Sequence, residues 1–267
     1  MKNILRRPIF IVGTIIACAV GYYVWNMNQP PPLPPSTQVV QSQPVTPLPD
    51  EAATKNYPIE SPPALAANLL PALDASDKAV GDALAQLLGR KSLPRFFYPS
   101  RIIRRFVATI DNLPRRHAPV RMWPAKPISG TFIVTDSSTG LVIDLANAFR
   151  YVRYIDVLKA ADVPGLVDFY VRFYPLFQQA YQELGYPQGN FNNRLIETLD
   201  NLLDAPDIFG PVGLVQPKVL YVFADPALEA RSAGQKIMIR IGSRNSAQAK
   251  VALRAIRSEV MRRVSSK

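Results

Sequence analysis

The residues from Asp162 to Pro206 constrain this chain more than any others, because they carry two long helical patterns in immediate succession. In the first, Leu166, Val167, Tyr170, Tyr174, Phe177, Tyr181 and Leu184 recur at steps of three and four, one apolar stripe along a helix. Asp162 stands where an N-cap belongs, Pro164 lies just inside the start, and Gly185 suits the left-handed position after the last turn. In the second, Phe191, Leu195, Ile196, Leu199, Leu202 and Leu203 form a similar stripe behind Asn190, and Pro206 blocks continuation. Two stripes joined by a short Gly-Pro-Gly turn predict an antiparallel helical hairpin whose faces meet as a core seed. Pro175 sits mid-way along the first segment and predicts a kink or a break near Val171.

Upstream of this hairpin the chain changes character twice. Lys2, Arg6 and Arg7 precede an uncharged run from Pro8 to Trp25. At about 1.5 Å per residue such a run covers roughly 27 Å, near the lower end for crossing a bilayer. Positive charge on its N-terminal side predicts that end in the cytoplasm and the bulk of the chain outside it, with Tyr22, Tyr23 and Trp25 at the outer interface. Three readings stay open for the run: an uncleaved inner-membrane anchor, a lipoprotein processed at Cys18, and ordinary cleavage after Ala17-Cys18-Ala19. All three export the bulk of the chain. Twelve of the 26 prolines then fall between Pro30 and Pro71, which predicts a disordered, proline-rich linker and a spacer role. The expected organisation is therefore an anchor over 1–25, a linker over 26–71 and a helical globular domain over 72–267.

Within that domain Ser76 predicts a cap for a helix ending before Gly89, with Val80, Leu84, Leu87 and Leu88 on one face. A second helix is expected over about 100–112, its buried stripe Ile103, Phe106, Val107 and Ile110. Thr131 to Thr135 and Leu141 to Ile143, around Asp-Ser-Ser-Thr-Gly, predict a small β-hairpin. Further helices are expected over 146–161, from Asp225-Pro226, and over 246–263 with a stripe of Val251, Leu253, Ile256 and Val260; residues 235–241 read as a strand by Ile-Met-Ile-Arg-Ile or as a helix ended by Gly242, the helix being preferred. The fold class is mainly α with one small β element.

The chemistry is defined mostly by what is missing. His117 is the only histidine and Cys18 the only cysteine, so multi-histidine metal sites, cysteine-based zinc sites and internal disulfides are excluded. No nucleophile-elbow, HExxH or phosphate-loop spacing occurs, and no cofactor is expected. Asp111 and Asn112 read as local capping and turn residues, and Glu197, Asp200 and Asp204 as one solvated helix face. The distinctive feature is basic. The 31 basic and 20 acidic residues leave +11, and the part after residue 71 keeps 27 against 17. Arg115, Arg116, Arg121 and Lys126 interleave with Met122 and Trp123, and no acid lies between Asp111 and Asp136. Such a loop can neutralise and stack on an anionic ligand. With an exported domain the candidates are a lipid headgroup, an envelope polymer or an acidic protein, and not nucleic acid.

Several short motifs appear in a fixed order: Asp111-Asn112-Leu113-Pro114-Arg115, Tyr174-Pro175-Leu176, Ala180-Tyr181, Leu184-Gly185-Tyr186-Pro187, Pro217-Lys218, Asp225-Pro226, Leu228-Glu229 and Gln235-Lys236. Together they resemble the bacterial domain-of-unknown-function family 3014, over roughly residues 72–263. The resemblance implies a membrane-anchored envelope protein with a proline-rich linker and carries over no catalytic residue. Gly242-Ser243-Arg244-Asn245 departs from the Gly-Pro-Glu-Asn of that pattern, which bears on where the last helix starts. Two functions remain: a tethered, non-enzymatic binding or scaffolding domain, and a hydrolase using carboxylates on an envelope polymer. The second requires two of Asp111, Asp144, Glu183, Glu197 and Asp200 to converge in a cleft.

Overall fold

The computed structural model describes residues 56–59, 70–90 and 92–264; the apolar run at 8–25 and most of the proline-rich stretch lie outside them. Nine helices and two short strand pairs account for the described chain: α1 (Asp77–Leu88), α2 (Ser92–Phe96), α3 (Ile102–Asn112), β1 (Val134–Ser137), β2 (Gly140–Ile143), α4 (Ala146–Lys159), α5 (Val163–Glu183), α6 (Phe191–Leu203), β3 (Leu214–Val215), β4 (Val222–Phe223), α7 (Pro226–Glu229), α8 (Ala233–Arg240) and α9 (Ser243–Arg262). None of these helices is long and apolar enough to cross a membrane.

Of the caps read from the sequence, that of Asp225 forms, and Asp162 stands before α5 without a side-chain bond to its first turn. The Asn190 side chain accepts from the amides of Asn192 and Asn193 at the start of α6, and Asp225 accepts from Ala227 at the start of α7. Ser76 does not cap α1; its hydroxyl donates to Leu73 in the 3-10 turn before it. The neighbouring Asp77 carboxylate instead accepts from the Arg101 and Ile102 amides, at 2.6 and 2.8 Å. It thus caps α3 from across the fold, beside a left-handed Arg101 with φ 52°. Such a long-range cap has no signature in local spacing.

Of the kink or break expected in α5 near Val171, the break does not occur. Pro175 has no amide to donate to Val171, yet the helix is continuous for 21 residues. Tyr170, Phe173, Tyr174, Leu176 and Phe177, on both sides of the proline, are all buried in one core. That packing holds the two halves in register against the lost bond.

The core refines the hairpin picture. α5 and α6 meet at their joined ends, where Tyr170, Phe177 and Tyr181 pack on Phe191 and the Phe191 amide donates to Gln178, and each packs more extensively on α3 and α9. Phe177 and Phe191 stack near the turn, with centroids 5.6 Å apart, and Ile196 and Leu199 complete the buried face of α6. Residues 56–59, inside the stretch read as linker, join this core. The Tyr57 amide donates to Asn193 at 2.8 Å, Asn192 donates back to the Tyr57 carbonyl, and Ile59 is buried and bridges Val264.

Two further apolar clusters complete the domain. Ile155, Ala205, Met238, Ile241 and Ala249 lie beneath α4 and α9. Leu214, Phe223 and Ile239 lie beneath the β layer. That layer is larger than the single hairpin expected. β1 and β2 pair antiparallel, β3 and β4 pair antiparallel, and a bridge between Val142 and Gly213 links the two pairs. The final helix begins at Ser243, earlier than the expected 246, and Val251 points out of its stripe at 66% exposure.

Leu199, at the centre of the α6 stripe, is buried against α3 and α9. We expect Leu199→Ala to lower unfolding free energy by about 2–5 kcal/mol in urea titrations followed by circular dichroism. A change within experimental scatter would contradict the packing described.

Candidate functional site

An open groove of about 450 Å³ lies where four pieces of the fold meet: β2, the first turn of α4, the loop at 208–212, and the junction of α8 with α9. Its volume falls in the range of ordinary ligand clefts. Each wall is set by local sequence. Asn147, fully buried, donates to the carbonyls of Ile133 and Asp144 and accepts from the Ile133 amide, which locks the β1–β2 hairpin to α4. Gly242 takes a φ of 87°, and a side chain there would press on Ala148. Asn245, one turn into α9, donates to the Ala148 and Ile241 carbonyls at 2.8 and 2.9 Å. The first turns of α4 and α9 are thereby held against each other.

The groove is lined mainly by Ile143, Ala148, Ile208, Val212 and Ile239, and its rim by Leu145 and Phe209. Those rim side chains are 84% and 90% exposed, and Phe149, one turn beyond Leu145, is 77% exposed. Asp144 is the one carboxylate lining it. It accepts from the Thr135 hydroxyl and, at 2.7 Å, from the Ala146 amide. These two bonds, the hydroxyl's first, hold its carboxyl below the ordinary value.

The other carboxylates do not join it. Glu183 pairs with Arg104 at 2.6 Å, and Asp200 pairs with Arg257. Asp111 and Glu197 approach one another only through Arg194, which contacts both. Asp111 is not the local capping residue expected: its carboxylate is buried, ion-paired to Arg115 at 3.0 Å and to Arg194 at 3.2 Å, and it accepts from the Tyr186 hydroxyl. With both oxygens already partnered it is not disposed to activate a water. Around it the Tyr186 ring stacks on Tyr181 at 4.5 Å, and the Ala233 and Gly234 amides at the start of α8 donate to the Arg115 and Leu113 carbonyls. A side chain on Gly234 would displace the Leu202 methyl and press on the Leu113 carbonyl at 3.2 Å, so glycine eases that approach.

The structure separates the residues of the basic loop. Arg115 turns to Asp111. Lys126 donates to the Pro94 carbonyl at 2.6 Å. Arg105 donates to the Arg121 and Trp123 carbonyls, so the loop backbone is tied to α3. Trp123 is half-buried, with its indole N–H enclosed and unpartnered. Arg116 and Arg121 are exposed, and among the described residues neither has a carboxylate at ion-pair distance. His117 is exposed as well. The second basic-aromatic run is structural at its start: Arg150 donates to the carbonyls of Ser129, Gly130 and Thr131.

The motifs that carry the resemblance have distinct places in the fold. Asp111, Arg115, Tyr181, Tyr186 and the residue before Gln235 meet at one buried junction. Asp225 caps α7, and Glu229 accepts from Lys236 at 2.8 Å. The family model described as Protein of unknown function (DUF3014) matches residues 102–257, which is more than half of the chain. The chain belongs to this family. No curated protein and no solved structure gives a match. The motifs that distinguish this DUF3014 chain thus sit chiefly at structural joints, whereas the groove is built from residues outside them.

Sequence reasoning missed Leu145, Phe149 and Phe209. A signal existed for the first two: α4 is apolar on two sides, with Tyr151, Ile155 and Leu158 on one and Leu145, Phe149 and Val152 on the other. Spacing alone does not say which side is covered.

Asp111→Ala removes the buried carboxylate that Arg115 and Arg194 share, leaving them the carbonyl of residue 111 and Glu197, and should cost more than Arg115→Gln, which at a half-exposed partner should cost about 1 kcal/mol or less; thermal unfolding of both variants checks the order. The Asp144 carboxyl, depressed when folded, adds stability above its ordinary titration range that is lost as pH falls through the folded value. Thr135→Val should raise the Asp144 midpoint read by NMR titration and shrink that acid-side contribution.

Proposed function

We propose that this chain is a membrane-tethered, non-enzymatic binding or scaffolding domain of the cell envelope. The observation that carries the reading is the groove: an apolar cleft with exposed Leu145 and Phe209 on its rim and a single carboxylate, Asp144, already hydrogen-bonded. Exposed apolar side chains around a cleft suit a binding surface. A hydrolase of two carboxylates needs a second acid across the cleft, and Asp111, Glu183, Glu197 and Asp200 are each engaged by arginine elsewhere. Tethering rests on the charged flank and apolar run of residues 2–25 and on the proline-rich stretch behind them.

The basic loop is a second, smaller surface in this reading. Arg116 and Arg121 are its available cations, with Trp123 beside them and Arg115 and Lys126 supporting the loop. We expect the full chain to sediment with anionic vesicles or envelope polymer without releasing soluble fragments. Arg116→Glu with Arg121→Glu should weaken that part of the binding that falls with salt, and should leave thermal unfolding within about 0.5 kcal/mol of wild type. Release of polymer fragments that disappears in Asp144→Asn would overturn the reading in favour of the hydrolase. A reporter fused after Pro71 that is active only in the cytoplasm would overturn the envelope location.

A further inference from the structure

The outer face of α4 and α9 is the least explained surface of the domain. These helices pack side by side over Ile155, Met238 and Ala249, so the sides turned away from that cluster form one surface. On α4 it carries Leu145, Phe149 and Val152, at steps of four and three, with Arg153 four residues after Phe149 on the flank of that stripe. On α9 it carries Arg244, Val251 and Arg254. Phe209 stands beside it on the groove rim. Five apolar side chains are thus exposed next to three arginines, and among the described residues none of the three has a carboxylate at ion-pair distance.

The charge on this face is mainly positive: the exposed Arg153, Arg244 and Arg254 stand against one exposed acid, Asp156, four residues after Val152 on the same side of α4. Between Lys236 and Arg263 there are eight basic residues and one acid, Glu259, which is buried and taken up by Arg262 and Arg263. Asp144 is occupied by Thr135 and Ala146, which leaves Asp156 as the exposed acid of α4. The apolar side chains stand out from three separate elements. Leu145, Phe149 and Phe209 are each more than three-quarters exposed. A surface of protruding phenylalanine and leucine beside unpaired arginine matches a soft anionic interface, where apolar side chains enter below the headgroups and guanidiniums remain among the phosphates.

The geometry points to this α4–α9 face, with Phe209, as the surface by which the domain lies against an anionic lipid bilayer. The inference rests on the tethered reading above and names the binding partner within it. The tether makes the contact cheap. Thirty-one positions lie from Trp25 to Asn56, and at about 3.1 Å per residue the domain stays within roughly 100 Å of the bilayer. Binding is then intramolecular in effect, so a weak face suffices. Each arginine near an anionic surface is worth about fivefold in partitioning at ordinary ionic strength. Three arginines together with partial burial of the phenylalanines provide a salt-dependent docked state that the N-terminal run alone does not.

The test uses the full chain in a Cys18→Ser background, reconstituted with vesicles of phosphatidylcholine with or without phosphatidylglycerol. Phe149→Cys carries an environment-sensitive fluorophore, and Gln86→Cys on α1 carries the same probe as a control. Flotation of the chain with both lipid mixtures reports the tether. We expect the probe at 149 to shift to the blue and become accessible to bilayer-depth quenchers only with the anionic lipid, while the probe at 86 stays in water. Salt should reverse the shift. Arg244→Glu with Arg254→Glu should lower the docking equilibrium constant at least twentyfold without moving the unfolding midpoint, since both side chains are exposed. A chain that floats while its probe at 149 reads as water in both mixtures overturns the face and leaves the tether standing. A chain that floats with neither mixture and shows no shift overturns both. A shift produced by an acidic amphipathic peptide, and by no lipid, would assign the face to a protein partner and overturn the lipid assignment.

Discussion

The buried Asp111 carboxylate is the interaction on which this domain depends most. A buried charge is costly unless it is paired and hydrogen-bonded, and Asp111 satisfies both conditions by drawing on three separate segments. Arg115 comes from the turn after α3, Arg194 from α6, and Tyr186 from the α5–α6 connection. None of the three can move without leaving part of the pair unmet, so the C-terminal end of α3 is held against α6 and the turn before it. Thr198 adds a bond to the Ile110 carbonyl at 2.9 Å, and the start of α8 is bonded to the same turn through Leu113 and Arg115. The junction therefore couples the aromatic core around Phe173, Phe177 and Phe191 to the second half of the domain.

That coupling explains how a groove can be shaped by residues of little sequence distinction. α8 is fixed at its start by the Asp111 junction and at its end by the left-handed Gly242, and α9 leaves from there against Ala148. α4 is fixed in turn by Asn147 and Arg150, whose bonds hold the β1–β2 hairpin and the segment before it. The cleft is what remains between these fixed pieces. Its apolar floor continues the cluster of Leu214, Phe223 and Ile239 beneath the β layer. A cleft held by such fixed pieces can bind with little reorganisation.

Charge on this protein divides into two kinds by its surroundings. Arg104, Arg115, Arg150, Arg194 and Lys250 are spent on carboxylates and carbonyls of the fold; Lys250, for instance, is buried and donates to Ala205 and Asp207. Arg116, Arg121, Arg153, Arg244 and Arg254 face solvent. Only the second kind is available to a partner, and the net positive charge of the chain is expressed through it. The basic loop illustrates the division within a few residues, since Arg115 and Lys126 belong to the first kind and Arg116 and Arg121 to the second.

The sequence by itself determined the mainly helical class, the N-cap at Asp225 and the position of the β1–β2 hairpin, whereas residues 235–241 read locally as strand or helix and the fold made 235–240 helix. The first three depend on spacing, capping and turn chemistry within a few residues, which local pattern records. The motifs from Asp111 to Lys236 also carried the family likeness. Only the tertiary structure decided what covers each apolar stripe: α5 and α6 pack more on α3 and α9 than on each other, while α4 leaves Leu145 and Phe149 in solvent. It also decided that Asp111 is a buried ion-pair centre, that Asp77 caps a helix twenty-five residues away, and that α5 runs unbroken through Pro175. The reason is the same in each case. Burial and long-range pairing depend on which distant segment arrives as a neighbour, and a stripe, a carboxylate or a proline looks the same in the sequence whatever comes to face it.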